Sequence, residues 1–258
     1  MDLRIENQWF VVCGAGSGFG RSIAEQLIQE GAKVIAIART KSVLDDFSRV
    51  AKDNLVTLCG DITQVDTQLR LMEICSTHTI SGIVINAGGP PAKSFLETDI
   101  DDWDGGWHSL VRWKLMITMR FLPLFRKQQY GRLLFIESVS VKQRVENLAL
   151  SNSLRLAVVG FAKTLSGEVA KENITVNVMA PGYHNTAAMQ RLFQKMSSSQ
   201  GITLSEAKDH FEKLIPVGRM GEAQEFAGLA AWLLSPLAAY VTGQTISHDG
   251  GSVMGTFG

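Results

Sequence analysis

The chain has no excess of charge: 25 basic and 25 acidic side chains leave a formal net charge of zero. No basic field therefore argues for a nucleic acid or an anionic membrane as partner. Long apolar runs are missing too. The stretch 106–128 is rich in apolar residues, but Arg112, Lys114 and Arg120 interrupt it before the roughly 20 residues needed to span a bilayer. No secretory signal is visible. Cysteine is scarce, and Cys13, Cys59 and Cys75 lack metal-ligand spacing; buried free thiols in a reducing compartment are the expectation, with no metal site. These absences fit a cytoplasmic protein.

What is present begins at the N-terminus. The apolar run Trp9-Phe-Val-Val-Cys13 leads into Gly14-Ala-Gly-Ser17-Gly18-Phe19-Gly20, followed by a stretch in which Ile23, Ala24, Leu27 and Ile28 fall at helical spacing. The pattern predicts strand, tight turn, helix. Glycine suits such a turn because the backbone takes conformations closed to other residues and a pyrophosphate can approach without meeting a Cβ. The helix start offers that anion unpaired N–H groups and a positive dipole end. Further along, Lys33–Ala38, Leu55–Cys59, Gly82–Asn86, Arg132–Glu137, Ile174–Met179 and Gln244–His248 read as strands, with helical patterns near 42–51, 64–77, 106–128, 148–171 and 222–235. This alternation predicts an α/β fold, a single doubly wound parallel sheet of Rossmann type with helices on both faces. No repeat or linker divides the 258 residues. The least regular region, about 183–215, suits a mobile flap over a site or an ordinary surface excursion.

Several motifs at fixed spacing carry a resemblance: Gly14-x-x-x-Gly18-Phe-Gly20, Gly60-Asp61-Ile62-Thr63, Asn86-Ala87-Gly88, Gly131-Arg-Leu-Leu-Phe-Ile-Glu-Ser138, Pro181-Gly182-x-x-x-Thr186, and Tyr240-Val-Thr-Gly-Gln244 with Asp249-Gly-Gly251. The chain resembles the short-chain dehydrogenase/reductase family over essentially its whole length, in the manner of its 3-oxoacyl-carrier-protein reductase branch. The resemblance implies that Gly14, Ser17, Gly18, Phe19 and Gly20 cradle a dinucleotide. It further implies that Asp61 and Ile62 meet the adenine and that Asn86, Ala87 and Gly88 floor the cofactor. Pro181, Gly182, His184 and Thr186 would approach the nicotinamide carboxamide and the phosphates. Asp61 could equally cap a helix, and Asn86 could stabilise the sheet.

At the end of the second strand, about twenty residues past the glycine turn, a carboxylate would grip the ribose of NAD. Here Ala38 takes that place, followed by Arg39 and Thr40. A guanidinium pairs with a phosphate through charge-assisted hydrogen bonds, so NADP(H) is favoured over NAD(H); alternatively Arg39 is a solvated loop residue.

In the family an Asn, a Ser, a Tyr and a Lys act together, the tyrosine as general acid. By register those positions fall on Leu110, Ser138, Ser151 and Arg155. An aliphatic hydroxyl is far less acidic than a phenol, and a guanidinium keeps its proton at neutral pH. Two readings stay open. One is an atypical NADP(H)-dependent oxidoreductase acting on a carbonyl or hydroxyl compound, with Tyr183 or Lys142 as candidate donors and Arg155 still holding the ribose. The other is a catalytically inactive dinucleotide-binding pseudoenzyme. The resemblance also implies a homodimer or homotetramer, through helices near 106–128 and 148–171 together with the C-terminal segment, and the first reading implies a small-molecule substrate.

Overall fold

The computed structural model describes residues 1–256, without the side chains of Lys52, Ala188 and Lys195. Strands β1 (Trp9–Cys13), β2 (Lys33–Ala38), β3 (Leu55–Cys59), β4 (Ile80–Ile85), β5 (Gly131–Ile136), β6 (Ile174–Pro181) and β7 (Thr245–His248) form one sheet in the order β3-β2-β1-β4-β5-β6-β7. Every strand pairing is parallel. The helices are α1 (Gly18–Gln29), α2 (Lys41–Ala51), α3 (Val65–Cys75), α4 (Ile100–Trp107), α5 (Trp113–Gln128), α6 (Ala149–Val169), α7 (Ala187–Gln200), α8 (Leu204–Glu212) and α9 (Ala223–Leu234).

Side chains alternate across a strand, so each strand feeds two cores. Phe10, Val12, Val34 and Ala36 face a layer containing Ile23 and Leu27 of α1 with Phe226 and Ala230 of α9. Val11, Cys13, Ile35 and Ile37 face the opposite layer, with Leu71 of α3, Phe121 of α5 and Val158 of α6. Both faces being covered explains why the strands read as continuous apolar runs rather than alternating ones. All three cysteines are free, with Cys13 and Cys75 buried as expected. Burial pushes both of those thiols up, Cys75 to about 12. The strand order reverses between β1 and β4, which opens a crevice at their C-terminal ends, the place where open α/β sheets bind ligands.

Two expected features differ. The single helix expected over 106–128 is α4, a wider π turn at His108–Arg112, and then α5. Leu110, Val111, Trp113 and Lys114 are all buried across this junction. The start of α4 carries its own sequence signal, a reciprocal cap between Asp99 and Asp102. The second difference lies at 183–215, expected to be the least regular region. It folds into α7 and α8 around a small separate core of Met189, Phe193, Ala207, Ile215 and Met220. Met189, Phe193 and Met196 recur at helical spacing, but Met196-Ser-Ser-Ser-Gln-Gly201 masks the pattern.

Because this core is separate, Phe193→Ala should loosen it without unfolding the sheet. Removing a buried Phe ring typically costs about 3–5 kcal/mol, more than a core this small can absorb. Limited proteolysis should then cut within 187–212 while the main unfolding transition is preserved. Cooperative loss of the whole domain at the same temperature would contradict the separation.

Candidate active site at the reversal of strand order

The crevice starts where β1 ends. Gly14 has φ +68°, and a Cβ there would lie 2.8 Å from Asn86 Nδ2 and 3.0 Å from the Asn86 carbonyl; a Cβ at Gly20 would lie 2.3 Å from the Gly14 carbonyl. The glycine turn, the first turn of α1 and Asn86 are therefore in mutual contact at the switch point. At Gly18 (φ +56°) the nearest neighbour of an added Cβ is Thr186 Cγ2, 4.0 Å away, and at Gly88 nothing lies within 4 Å. The space that side chains would fill stays open between α1 and the chain after β6. Ser17 precedes α1, and its side chain makes no capping bond, so the first-turn N–H groups remain available to an anion. These residues fit the pyrophosphate of a dinucleotide.

The other cofactor candidates surround this cradle. Ala87 packs at the edge of one core, and Ile62 is buried in the same core. Asp61 Oδ1 accepts from the Thr63 N–H at 3.0 Å and from its hydroxyl at 2.8 Å. Phe19 packs edge-on against His184. His184 is itself buried, with its Nε2 2.9 Å from His248 Nδ1. Burial holds His184 below the usual histidine range, with Gly182 opposing the shift and His248 adding to it. Pro181 closes β6, and a Cβ on Gly182 would lie 2.6 Å from the Asp249 Cβ. Arg39 and Thr40 are exposed just beyond Ala38, and among the described residues Arg39 joins no ion pair.

Beneath the crevice, the positions singled out for catalysis meet in one buried network. Ser138 Oγ accepts from the Ser140 N–H at 3.2 Å. The Ser140 hydroxyl lies 3.3 Å from that of Ser151. Arg155 Nε donates to Ser151 Oγ at 3.0 Å, and Nη1 donates to Glu137 Oε2 at 2.8 Å. The other oxygen of Glu137 accepts from Lys114 Nζ. Side-chain exposure is 2% for Lys114 and nil for Glu137. Arg155 Nη2 lies 3.2 Å from where a Cβ on Gly89 would stand, which puts the guanidinium against the loop after Asn86. Leu110 is buried in the apolar core and adds nothing polar.

The network gathers Ser138, Ser151 and Arg155 but neither candidate donor. Tyr183 packs against Phe211 in the small core, where burial pushes its phenol up. Lys142 lines a cavity of about 260 Å³ with Lys163 and Gln244, between α6 and the last two strands. Of the remaining tyrosines, Tyr130 directly precedes β5, at the opposite end of the sheet, and Tyr240 is fully exposed.

Sequence reasoning missed Lys114, Glu137 and Ser140. Lys114 counted only as a charge interrupting an apolar run. Yet it stands one helical turn beyond Leu110, a spacing that puts the two on one face. Glu137 sits directly before Ser138 and donates its N–H to the Met179 carbonyl at 2.9 Å, so it looks like the last residue of a strand. Three charges on a buried network are not neutral: two cations share one carboxylate. Burial pulls the Lys114 ammonium down to about 8; Glu137 opposes the shift and Arg155 adds to it.

Residues 14–253 match the family model described as enoyl-(acyl carrier protein) reductase. The chain belongs to that family, within the short-chain dehydrogenases/reductases. The 3-oxoacyl-[acyl-carrier-protein] reductase FabG of Buchnera aphidicola is 29% identical over 257 residues, covering 98% of this chain and all of that one. The NADPH-dependent reductase BacG of Bacillus subtilis is 26% identical over 252 residues, covering 94% and 96%. L-sorbose reductase from Gluconobacter frateurii, solved with NADPH and L-sorbose, shares the fold at a TM-score of 0.93 and 24% identity, over 99% of this chain and all of that one.

The charge balance has a consequence for stability. Lys114 binds its proton less tightly in the fold than in the unfolded chain, so its ammonium opposes folding at neutral pH. That penalty is fully present below about pH 8 and shrinks as pH rises toward 10.5, where the unfolded chain also loses its proton. Denaturant unfolding at a series of pH values should show the native protein gaining stability relative to Lys114→Met over this window. A difference that stays flat with pH would mean that Lys114 titrates normally.

Proposed function

We propose that this protein is an NADP(H)-dependent oxidoreductase that interconverts a carbonyl compound and its hydroxyl counterpart with a proton donor other than the family's tyrosine. The observation that carries this reading is the substituted, fully partnered network Ser151–Arg155–Glu137–Lys114. Taking ions out of water costs several kcal/mol each, and apolar side chains of similar volume often serve stability as well or better. Holding a dinucleotide gives a use to Arg155 but none to a second buried cation, Lys114, so the network favours chemistry over a pseudoenzyme.

Bound in the cradle, NADPH would supply a hydride. The chain's own residues divide the remaining work. The first turn of α1 and Thr186 hold the pyrophosphate, and Gly88 leaves room above Asn86. By register Arg155 takes the position of the family's lysine, and its guanidinium would suit hydrogen bonding to the nicotinamide ribose. Ser138 and Ser151 offer hydroxyls to the oxygen of a bound carbonyl. Arg39 and Thr40 suit a 2′-phosphate, since Ala38 offers no carboxylate to a ribose hydroxyl. The NADPH-dependent relative supports this preference. Exposed Met119 on α5 and Leu156 on α6 leave apolar surface for a second copy, so we read the protein as a homodimer or homotetramer; a monomer by sedimentation would contradict this.

Direct titration should give NADPH a Kd at least tenfold below that of NADH, and Arg39→Ala should erase most of the difference. Equal affinities in the unaltered protein would overturn the cofactor preference. NADPH should also be oxidised by at least one member of a panel of aldehydes, ketones, 2-oxo acids and 3-oxoacyl thioesters. NADPH that binds and stabilises the protein yet is consumed by none of them would favour the pseudoenzyme.

A further inference from the structure

We propose that Lys114 is the acid that replaces the missing phenol, giving the carbonyl oxygen its proton during reduction. The inference rests on the reductase reading above and names the residue that reading leaves open. Geometry comes first. Lys114 lies one turn beyond Leu110 on the helix that faces the site, and its Nζ bonds one oxygen of Glu137 while Arg155 bonds the other. The ammonium is thus one carboxylate's width from the guanidinium that borders Ser151 and the Gly89 loop. Glu137 holds it there, with one carboxylate oxygen committed to each of the two cations.

Chemistry then selects Lys114 within the network. Ser138, Ser140 and Ser151 are too weakly acidic to give a proton to a developing alkoxide, and Arg155 is too basic to release one. A good general acid has a pKa near the working pH. Lys114 meets that condition, since the charged groups facing it are Glu137 from the end of β5 and Arg155 from α6, and burial outweighs the carboxylate. The step balances. The carbonyl carbon gains the hydride that a reduced nicotinamide supplies, the C=O π pair moves onto oxygen, and that oxygen takes a proton from Nζ. The broken N–H bond leaves its pair on nitrogen, and the neutral amine regains a proton from solvent before the next turnover. The proton leaves a site whose two cations share a single anion, so the donation also relieves an excess of positive charge.

Three measurements test this. In the cofactor-free protein carrying 13C-labelled lysine, one Cε signal should titrate near pH 8 and be absent from Lys114→Met; lysines that all titrate near their ordinary value would overturn the proposal. With the carbonyl that the panel identifies, Lys114→Met should lower kcat by about 100-fold or more while the NADPH Kd moves less than about twofold. Met keeps the length of the side chain and leaves Glu137 paired with Arg155, and the retained Kd reports an intact fold. Lys114→Arg is decisive, because it keeps the charge and cannot give up a proton. It should stay as slow as Lys114→Met, whereas recovery of kcat would show that charge alone matters and would overturn the proton role. In the native protein kcat should fall as pH rises past about 8. An active native protein with an equally active Lys114→Met sinks this inference and leaves the reductase reading standing. A native protein that oxidises NADPH with no carbonyl sinks both.

Discussion

The Glu137 carboxylate is the constraint on which the site depends. It receives Lys114 from α5 on one oxygen and Arg155 from α6 on the other. It therefore ties together, in one buried cluster, the end of β5 and the two helices that pack beside it. Remove it, and two buried cations would be left without their counterion, at a penalty typically of about 3–5 kcal/mol for breaking such a pair. With it in place, Arg155 is aimed along α6 so that Nε meets Ser151, and Lys114 is held within the same cluster rather than extended to solvent. The π turn at His108–Arg112 directly precedes α5, and Lys114 is buried there beside Leu110, Val111 and Trp113.

This constraint also explains why the site is divided in two. The dinucleotide cradle is built from backbone: glycines whose missing Cβ atoms let Gly14, Gly20 and Asn86 touch, and a helix start with unpaired N–H groups. Backbone geometry of that kind tolerates little change. The polar network below it is built from side chains, and the proposed chemistry is assigned there. On the proposed register, a hydroxyl, a guanidinium and an isobutyl group stand at the family's phenol, ammonium and amide positions, with Lys114 and Glu137 beside them. Two cations on one anion give this lower layer an excess of positive charge, the feature on which the proposed proton donation rests.

The sheet and most of its helices were legible in the sequence because the strands are buried on both faces and bounded by turns. The cradle was legible because glycine is the signal itself. Two regions escaped for local reasons. The serine-rich end of α7 hid a helical stripe of Met189, Phe193 and Met196, and the expectation of one uninterrupted helix overran both the reciprocal cap at Asp99 and the π turn. The buried polar network was legible only in part. Register along the chain singled out Ser138, Ser151 and Arg155, and the structure brings these three side chains together. Lys114 and Glu137 could not be found that way, because a lysine in an apolar helix and a glutamate after a strand each have an ordinary explanation alone. Only their pairing across 23 residues gives them meaning, and that pairing exists in space rather than in the chain.

The most direct test of the account is a crystal structure of the protein with NADP and an unreactive carbonyl analogue. The account predicts the analogue's oxygen within hydrogen-bond reach of Lys114 Nζ and a Ser138 or Ser151 hydroxyl, with Glu137 still bridging Lys114 and Arg155. An analogue oxygen bonded instead to Tyr183 or Lys142, with Lys114 sealed away from the ligand, would contradict it.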